Sequence, residues 1–133
     1  MKLVLDTNVV LDLFVFRDEA VRALRGALRE GAVQWFATPA MRAELACVLD
    51  YAHLQARMQA ASVTAAQVLD AFDAHACMVE AAAPANIVCR DGDDQKFIDL
   101  AIARGAALLS KDKHVLALRR KLAAVGVVVA HGL

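Results

Sequence analysis

Short apolar runs alternate with helical segments along the chain, and this alternation restricts the possible folds more than any other feature. The runs with strand-like length and content are residues 3–5, 32–37, 77–79, 106–109 and 126–130. Between them, apolar residues at helical spacing predict helices at about residues 8–14, 20–30, 39–52, 64–75, 95–104 and 113–122. This order favours right-handed crossovers between parallel strands. We therefore predict an α/β fold in which helices cover both faces of a parallel sheet.

The size and composition of the chain set limits on its class. A chain of 133 residues, of which 59% are hydrophobic, is expected to form a single domain over residues 1–133 with an apolar core. The formal net charge is zero, so no overall field points to a polyanionic partner. No apolar run is long enough to span a membrane, and the start lacks signal-peptide features. The three cysteines have no metal-ligand spacing and are expected as core residues in a reducing cytoplasm.

The opening segment places an acid at a position where α/β proteins bind ligands. Residues 3–5 form the first predicted strand, Asp6 follows directly, and Thr7 or Asn8 begins the next helix. Ligands of open α/β sheets lie beyond the carboxyl ends of the strands, so Asp6 is a candidate site residue. Asp is also a common helix cap. Taken alone, Asp6 fits the two interpretations about equally.

Three further acids have comparable positions. Asp112 follows the strand at 106–109, as Asp6 follows the first strand. Asp94 begins a helix and falls near the centre of its apolar face, whereas Asp99 is expected on the outer side of that helix. Glu44 lies at the edge of the apolar arc of the third helix. Helix starts and strand ends share one edge of a parallel sheet, so these acids are expected to meet Asp6 there.

Four converging carboxylates would raise one another's pKa unless a cation lay between them. A set of oxygen ligands suits Mg²⁺ or Mn²⁺ and disfavours metals that prefer sulfur. The alternative is that the acids are scattered helix caps and surface charges. The placement of Asp94 on an apolar face favours the metal site.

Taken together, these residues resemble the PIN-domain ribonuclease family, which includes the VapC-type toxins of bacterial toxin–antitoxin pairs. The resemblance covers the whole chain, and its most specific parts are the segments around Asp6, Glu44, Asp94 and Asp112. It implies a three-layer α/β/α domain with the sheet order 3-2-1-4-5. It further implies a divalent-metal endoribonuclease, an RNA substrate and a cognate antitoxin, and it is consistent with a homodimer.

The resemblance also implies roles for particular residues. Asp6, Glu44, Asp94 and Asp112 match the acidic quartet of the family, as catalytic and metal-binding residues. Asp91 and Asp93 compete for the third position, but helical placement favours Asp94. The supporting polar residues are Thr7, Asn8, Asp91 and Ser110. Lys111 stands where the family commonly has glycine, so Asp112 is the least secure match.

The predicted reaction is metal-assisted hydrolysis of a phosphodiester. Basic residues near the fourth acid are candidates for contacting the RNA backbone, with a solvated helix surface as the alternative: Lys111, Lys113, Arg119 and Arg120. A haloacid-dehalogenase-like phosphatase also begins with a strand ending in Asp, but it needs a second Asp where this chain has Asn8. An inactive partner-binding module of the same fold is a further alternative, which the retained quartet disfavours.

Overall fold

A computed structural model describes residues 1–133 and contains one parallel sheet. Its strands are β1 (Lys2–Leu5), β2 (Gln34–Ala37), β3 (Ala76–Met78), β4 (Ala107–Leu109) and β5 (Val129–Ala130). All neighbouring strands pair in parallel, in the order β3-β2-β1-β4-β5. This confirms the α/β fold predicted from the alternation and the sheet order implied by the resemblance.

Eight α-helices connect the strands. They are α1 (Thr7–Leu11), α2 (Arg22–Glu30), α3 (Pro39–Leu49), α4 (Ala52–Ala60), α5 (Ala65–His75), α6 (Gln95–Arg104), α7 (Lys113–Leu116) and α8 (Arg119–Ala124). A π-helical segment, Asp12–Phe16, continues α1, while short 3₁₀ turns at Glu19–Val21 and Gly92–Asp94 precede α2 and α6. Thr38 caps α3 ahead of a proline at its first position, and Thr64 with Gln67 forms a capping box at α5.

The central strand β1 is buried by packing on both sides. Leu3 and Val4 point to opposite faces and are both fully inaccessible to solvent. On one side of the sheet, Trp35 of β2 packs edge to face against Phe72 of α5, with ring centroids 4.9 Å apart. Burial on both faces explains why the first strand is a continuous apolar run rather than an alternating one.

The structure corrects two helix predictions. Helix α4 was not predicted, because only Leu54 and Met58 are buried in it and two apolar positions give a weak helical period. The final helix is two helices, α7 and α8. Val115 and Leu122 are both fully buried and lie seven residues apart, so the apolar spacing continues across the break and does not reveal it.

Two burial predictions were also wrong. Asp99 is buried, at 8% exposure, because the loop before α6 folds over the side of the helix that was expected to face solvent. Cys89 is buried as predicted for a core residue, but Cys47 and Cys77 are exposed. None of the helices combines the length and the apolar character that crossing a bilayer requires.

Candidate active site

The adjacent ends of β1 and β4 bring Asp6 and Ser110 together. Leu5 pairs with Leu109, and the Asp6 amide donates a hydrogen bond to the Leu109 carbonyl at 3.0 Å. The Ser110 hydroxyl donates to Asp6 Oδ2 at 2.7 Å, and the Asn8 amide donates to Asp6 Oδ1 at 3.3 Å. Asp6 is only 4% exposed, so these bonds hold a buried carboxylate in one orientation.

Glu44 reaches the same edge of the sheet from α3. The Thr7 hydroxyl donates to Glu44 Oε2, and the Lys96 ammonium donates to Glu44 Oε1 at 2.7 Å. Thr7 begins α1 directly after Asp6, so the first of these bonds links α3 to the end of β1. Both oxygens of Glu44 therefore have partners within the chain.

Asp94 ends the 3₁₀ turn that precedes α6, and it lacks the partners that the other acids have. It is 9% exposed, and its Oδ2 atom is buried without any hydrogen-bond partner. Asp91 instead caps the turn, where it accepts from the Asp93 amide at 3.0 Å, while Asp93 is exposed. Of the three acids that compete for this position, Asp94 is the buried one.

Asp112 begins α7 after the end of β4. It accepts a hydrogen bond from the His114 amide at 2.8 Å, and its own amide donates to Ser110 Oγ at 3.0 Å. Ser110 thus contacts both Asp6 and Asp112. It is completely buried, and its hydroxyl links the Asp6 carboxylate to the backbone amide of Asp112.

The electrostatics show that the four acids form one cluster. Desolvation, followed by the charges of Asp6, Asp112, Asp91 and Glu44, raises the pKa of Asp94 to about 7. Desolvation also raises the pKa of Asp6 above its ordinary value, and the charges of Asp112 and Glu44 add to this effect. The hydrogen bonds from Ser110 and Asn8 oppose the rise for Asp6. No hydrogen bond lowers the pKa of Asp94 in this way.

The predicted convergence is present in part. The acids lie close enough to influence one another's pKa, yet no three His, Cys, Asp or Glu side chains are arranged to hold one metal ion. Asp6, Glu44 and Asp112 each accept hydrogen bonds from groups within the chain. The unpartnered oxygen of Asp94 and the all-oxygen donor set fit a hard divalent cation such as Mg²⁺ or Mn²⁺.

The basic residues proposed for RNA contact have different environments. Lys111 lies 2.5 Å from the carboxylate of Asp12, a buried residue in the π-helical segment after α1. Lys113, Arg119 and Arg120 are exposed on or beside the last two helices. All four side chains are exposed, but Lys111 alone among them has an ion-pair partner within the chain.

Two residues at the site were not singled out from the sequence. Lys96 contacts Glu44 across 52 positions of the chain. Asp12 forms an ion pair with Lys111, and it lies in a segment whose sequence is typical of an ordinary amphipathic helix. No local motif marks either residue, since one pair joins α6 to α3 and the other joins the π-helical segment to the loop after β4.

Comparisons with known proteins identify a similar fold and a family for this chain. The chain is similar to one in the crystal structure of VapBC2 from Rickettsia felis bound to a DNA fragment from their promoter. The TM-score is 0.63, the identity is 14%, and the match covers 97% of each chain, so the likeness is one of fold. No curated protein matches significantly. The family model described as PIN domain matches residues 2–114. The chain therefore belongs to the PIN domain family.

Proposed function

We propose that this protein is a divalent-metal-dependent endoribonuclease and the toxin of a type II toxin–antitoxin pair. Membership of the PIN domain family, whose members are generally nucleases, supports the hydrolase activity. The observation that carries the proposal is the buried, unpartnered oxygen of Asp94 within a cluster of four acids. A buried carboxylate without a hydrogen-bond partner can release its proton and bind a metal cation instead.

The site residues have distinct parts in this proposal. Asp6, Asp94 and Asp112 would hold the cation, and Glu44 completes the acidic set. Bound Mg²⁺ or Mn²⁺ would supply a more acidic water and neutralise charge on the phosphate. Ser110 orients Asp6 and Asp112, while Thr7 and Asn8 hold Glu44 and Asp6 from the start of α1. The pKa of Asp94, raised to about 7 by desolvation and by the neighbouring acids, favours its protonated form at acidic pH in the metal-free chain.

The RNA strand would approach over the carboxyl edge of the sheet. Lys113, Arg119 and Arg120 are exposed and follow Asp112 in the chain, and contacts from them to phosphates would add affinity without reading bases. Lys111 is bound to Asp12 and would contact the backbone only at the rim of the cluster. We also propose a cytoplasmic location and a single domain over residues 1–133, and the family resemblance alone suggests a homodimer.

The nuclease proposal is tested with purified protein, labelled RNA and Mn²⁺, and with EDTA as the metal-free control. We expect cleavage that EDTA abolishes and that Asp94→Asn reduces by about 100-fold or more, because several kcal/mol of metal-dependent stabilisation is lost. Asp50→Asn is the matched control, since Asp50 is exposed at the end of α3. Turnover of a phosphomonoester without RNA cleavage would instead indicate a phosphatase.

The toxin role is supported by the likeness in fold to a chain of the VapBC2 structure. Expression of the wild-type chain should arrest the growth of its host. Co-expression of the small protein from the neighbouring reading frame should relieve the arrest, and Asp94→Asn should cause none. Normal growth during expression of a nuclease that is active in vitro would contradict the toxin role and leave the ribonuclease proposal standing.

A further inference from the structure

Lys96 is the cation that the chain itself provides to the acidic cluster. Its ammonium lies 2.7 Å from Glu44 Oε1, and this is the one ion pair that any of the four acids makes within the chain. Lys96 belongs to the first turn of α6, two residues after Asp94. The helix that follows the buried acid therefore also brings a positive charge to the site.

The ammonium is fixed by more than a surface ion pair. It donates to the Asp93 carbonyl at 2.6 Å as well as to Glu44, and it lies 4.9 Å from the centroid of the Phe97 ring. The side chains of Lys96 and Glu44 are each 27% exposed, so solvent screens the pair only in part. These contacts hold the charge at one place beside the cluster.

Both carboxylate oxygens of Glu44 are already bonded within the chain. Lys96 binds one of its oxygens, and the Thr7 hydroxyl binds the other. Asp94 differs, because its Oδ2 has no partner at all. Glu44 and Asp94 thus have opposite states, since the chain neutralises Glu44 and leaves Asp94 open to a cation.

Charge balance favours one metal ion with this arrangement. Four carboxylates carry four negative charges, and a single divalent cation neutralises half of them. The Lys96 ammonium neutralises one more of the four charges, the one on Glu44. A second divalent ion at the same place would have to displace the ammonium or lie beside it, which like-charge repulsion opposes.

We propose that Lys96 is a positioning residue that takes the place of a second metal ion. Its ammonium binds Glu44, so Asp94 is the acid left open to a cation, and the site therefore takes a single divalent ion. This inference rests on the proposed metal-dependent function. It assigns to Lys96 an effect on metal stoichiometry, which a purely structural surface lysine would not have.

The test is a titration of the metal-free, full-length chain with Mn²⁺, with the free ion followed by electron paramagnetic resonance. We expect about one equivalent bound by the wild type and about two by Lys96→Gln, because loss of the ammonium leaves Glu44 free to bind a cation. Lys96→Met should behave in the same way, and Lys96→Arg should return to about one equivalent because it restores the charge. Circular dichroism checks the fold of each variant.

Lys2→Gln is the matched control, since Lys2 is exposed at the start of β1, at the opposite edge of the sheet from the site. It should bind as the wild type does. Two equivalents in the wild type, or one in both Lys96→Gln and Lys96→Met, would overturn the inference while leaving the ribonuclease proposal intact. No Mn²⁺ binding by the wild type would overturn both proposals.

Discussion

At the scale of residues, the feature that matters most is a carboxylate left without a partner. Asp94 Oδ2 is buried and accepts no hydrogen bond, while Asp6 accepts two hydrogen bonds in a comparably buried position. A buried acid without compensation is costly when it is charged. In the metal-free chain this cost appears as the raised pKa of Asp94.

This gives a prediction about pH and stability. Folding raises the pKa of Asp94 from 3.8 to about 7, so between these values the folded chain binds a proton that the unfolded chain has released. The stability of the metal-free protein should therefore fall as pH rises through this window and level off above it. Urea unfolding in EDTA at a series of pH values measures the slope.

Asp94→Asn should make that slope shallower, since Asn carries no titrating proton. The slope should not vanish, because the pKa of Asp6 is raised as well and contributes in the same direction. Identical slopes for Asp94→Asn and the wild type would contradict the assignment of the raised pKa to Asp94.

At the scale of elements, α6 directly follows the turn that ends at Asp94, and it holds the loop that leads to that turn. Asp99 accepts from the Ala85 amide at 3.0 Å and from Gln95 Nε2 at 2.8 Å. Gln95 also accepts from the Cys89 amide at 2.6 Å and donates to the Ile87 carbonyl at 2.9 Å. The side chains of Asp99 and Gln95 thus hold residues 85–89 against the helix, and these residues lead to the Asp94 turn.

Asp99→Ala should therefore loosen this loop. Loss of a buried acceptor leaves the Ala85 amide unsatisfied, and we expect a cost of about 1–3 kcal/mol in the free energy of unfolding. Hydrogen exchange of the amides at residues 85–89 should become faster, whereas exposed Asp50→Ala should change neither quantity. Unaltered exchange in Asp99→Ala would show that the loop is held by other contacts.

At the scale of the whole molecule, the acids come from four separated parts of the chain. They follow β1, lie in α3, end the turn before α6 and follow β4. Unfolding scatters them, so a cation that binds the cluster binds the folded chain far better than the unfolded one. The site and the fold should therefore be thermodynamically coupled.

Mn²⁺ should accordingly raise the melting temperature. At a concentration about 100 times its dissociation constant, binding contributes about 2.7 kcal/mol, or roughly 5–10 °C for a chain of this size. Differential scanning calorimetry with Mn²⁺ and with EDTA measures the shift. Asp94→Asn should lose most of it and Asp50→Asn should keep it. An equal shift in both variants would place the stabilising ion elsewhere.

The apolar pattern of the sequence and the order of its strands and helices determined the fold. Apolar runs alternating with helical segments predict a parallel sheet, because a helical crossover returns each strand in the same direction. The same geometry puts Asp6 and Asp112 at one edge, and the apolar face of α6 predicts the burial of Asp94. These conclusions need only residue spacing and the direction of the strands.

The tertiary structure alone decided which partner each acid has. Ser110 and Asp6 are 104 positions apart, and Lys96 and Glu44 are 52 apart, so no periodicity in the sequence records either bond. The burial of Asp99 likewise depends on a loop folding over α6. Hydrogen bonds of this kind form between elements after they pack. For that reason the sequence shows where the acids gather, but only the packed chain shows that Asp94 is the one left open.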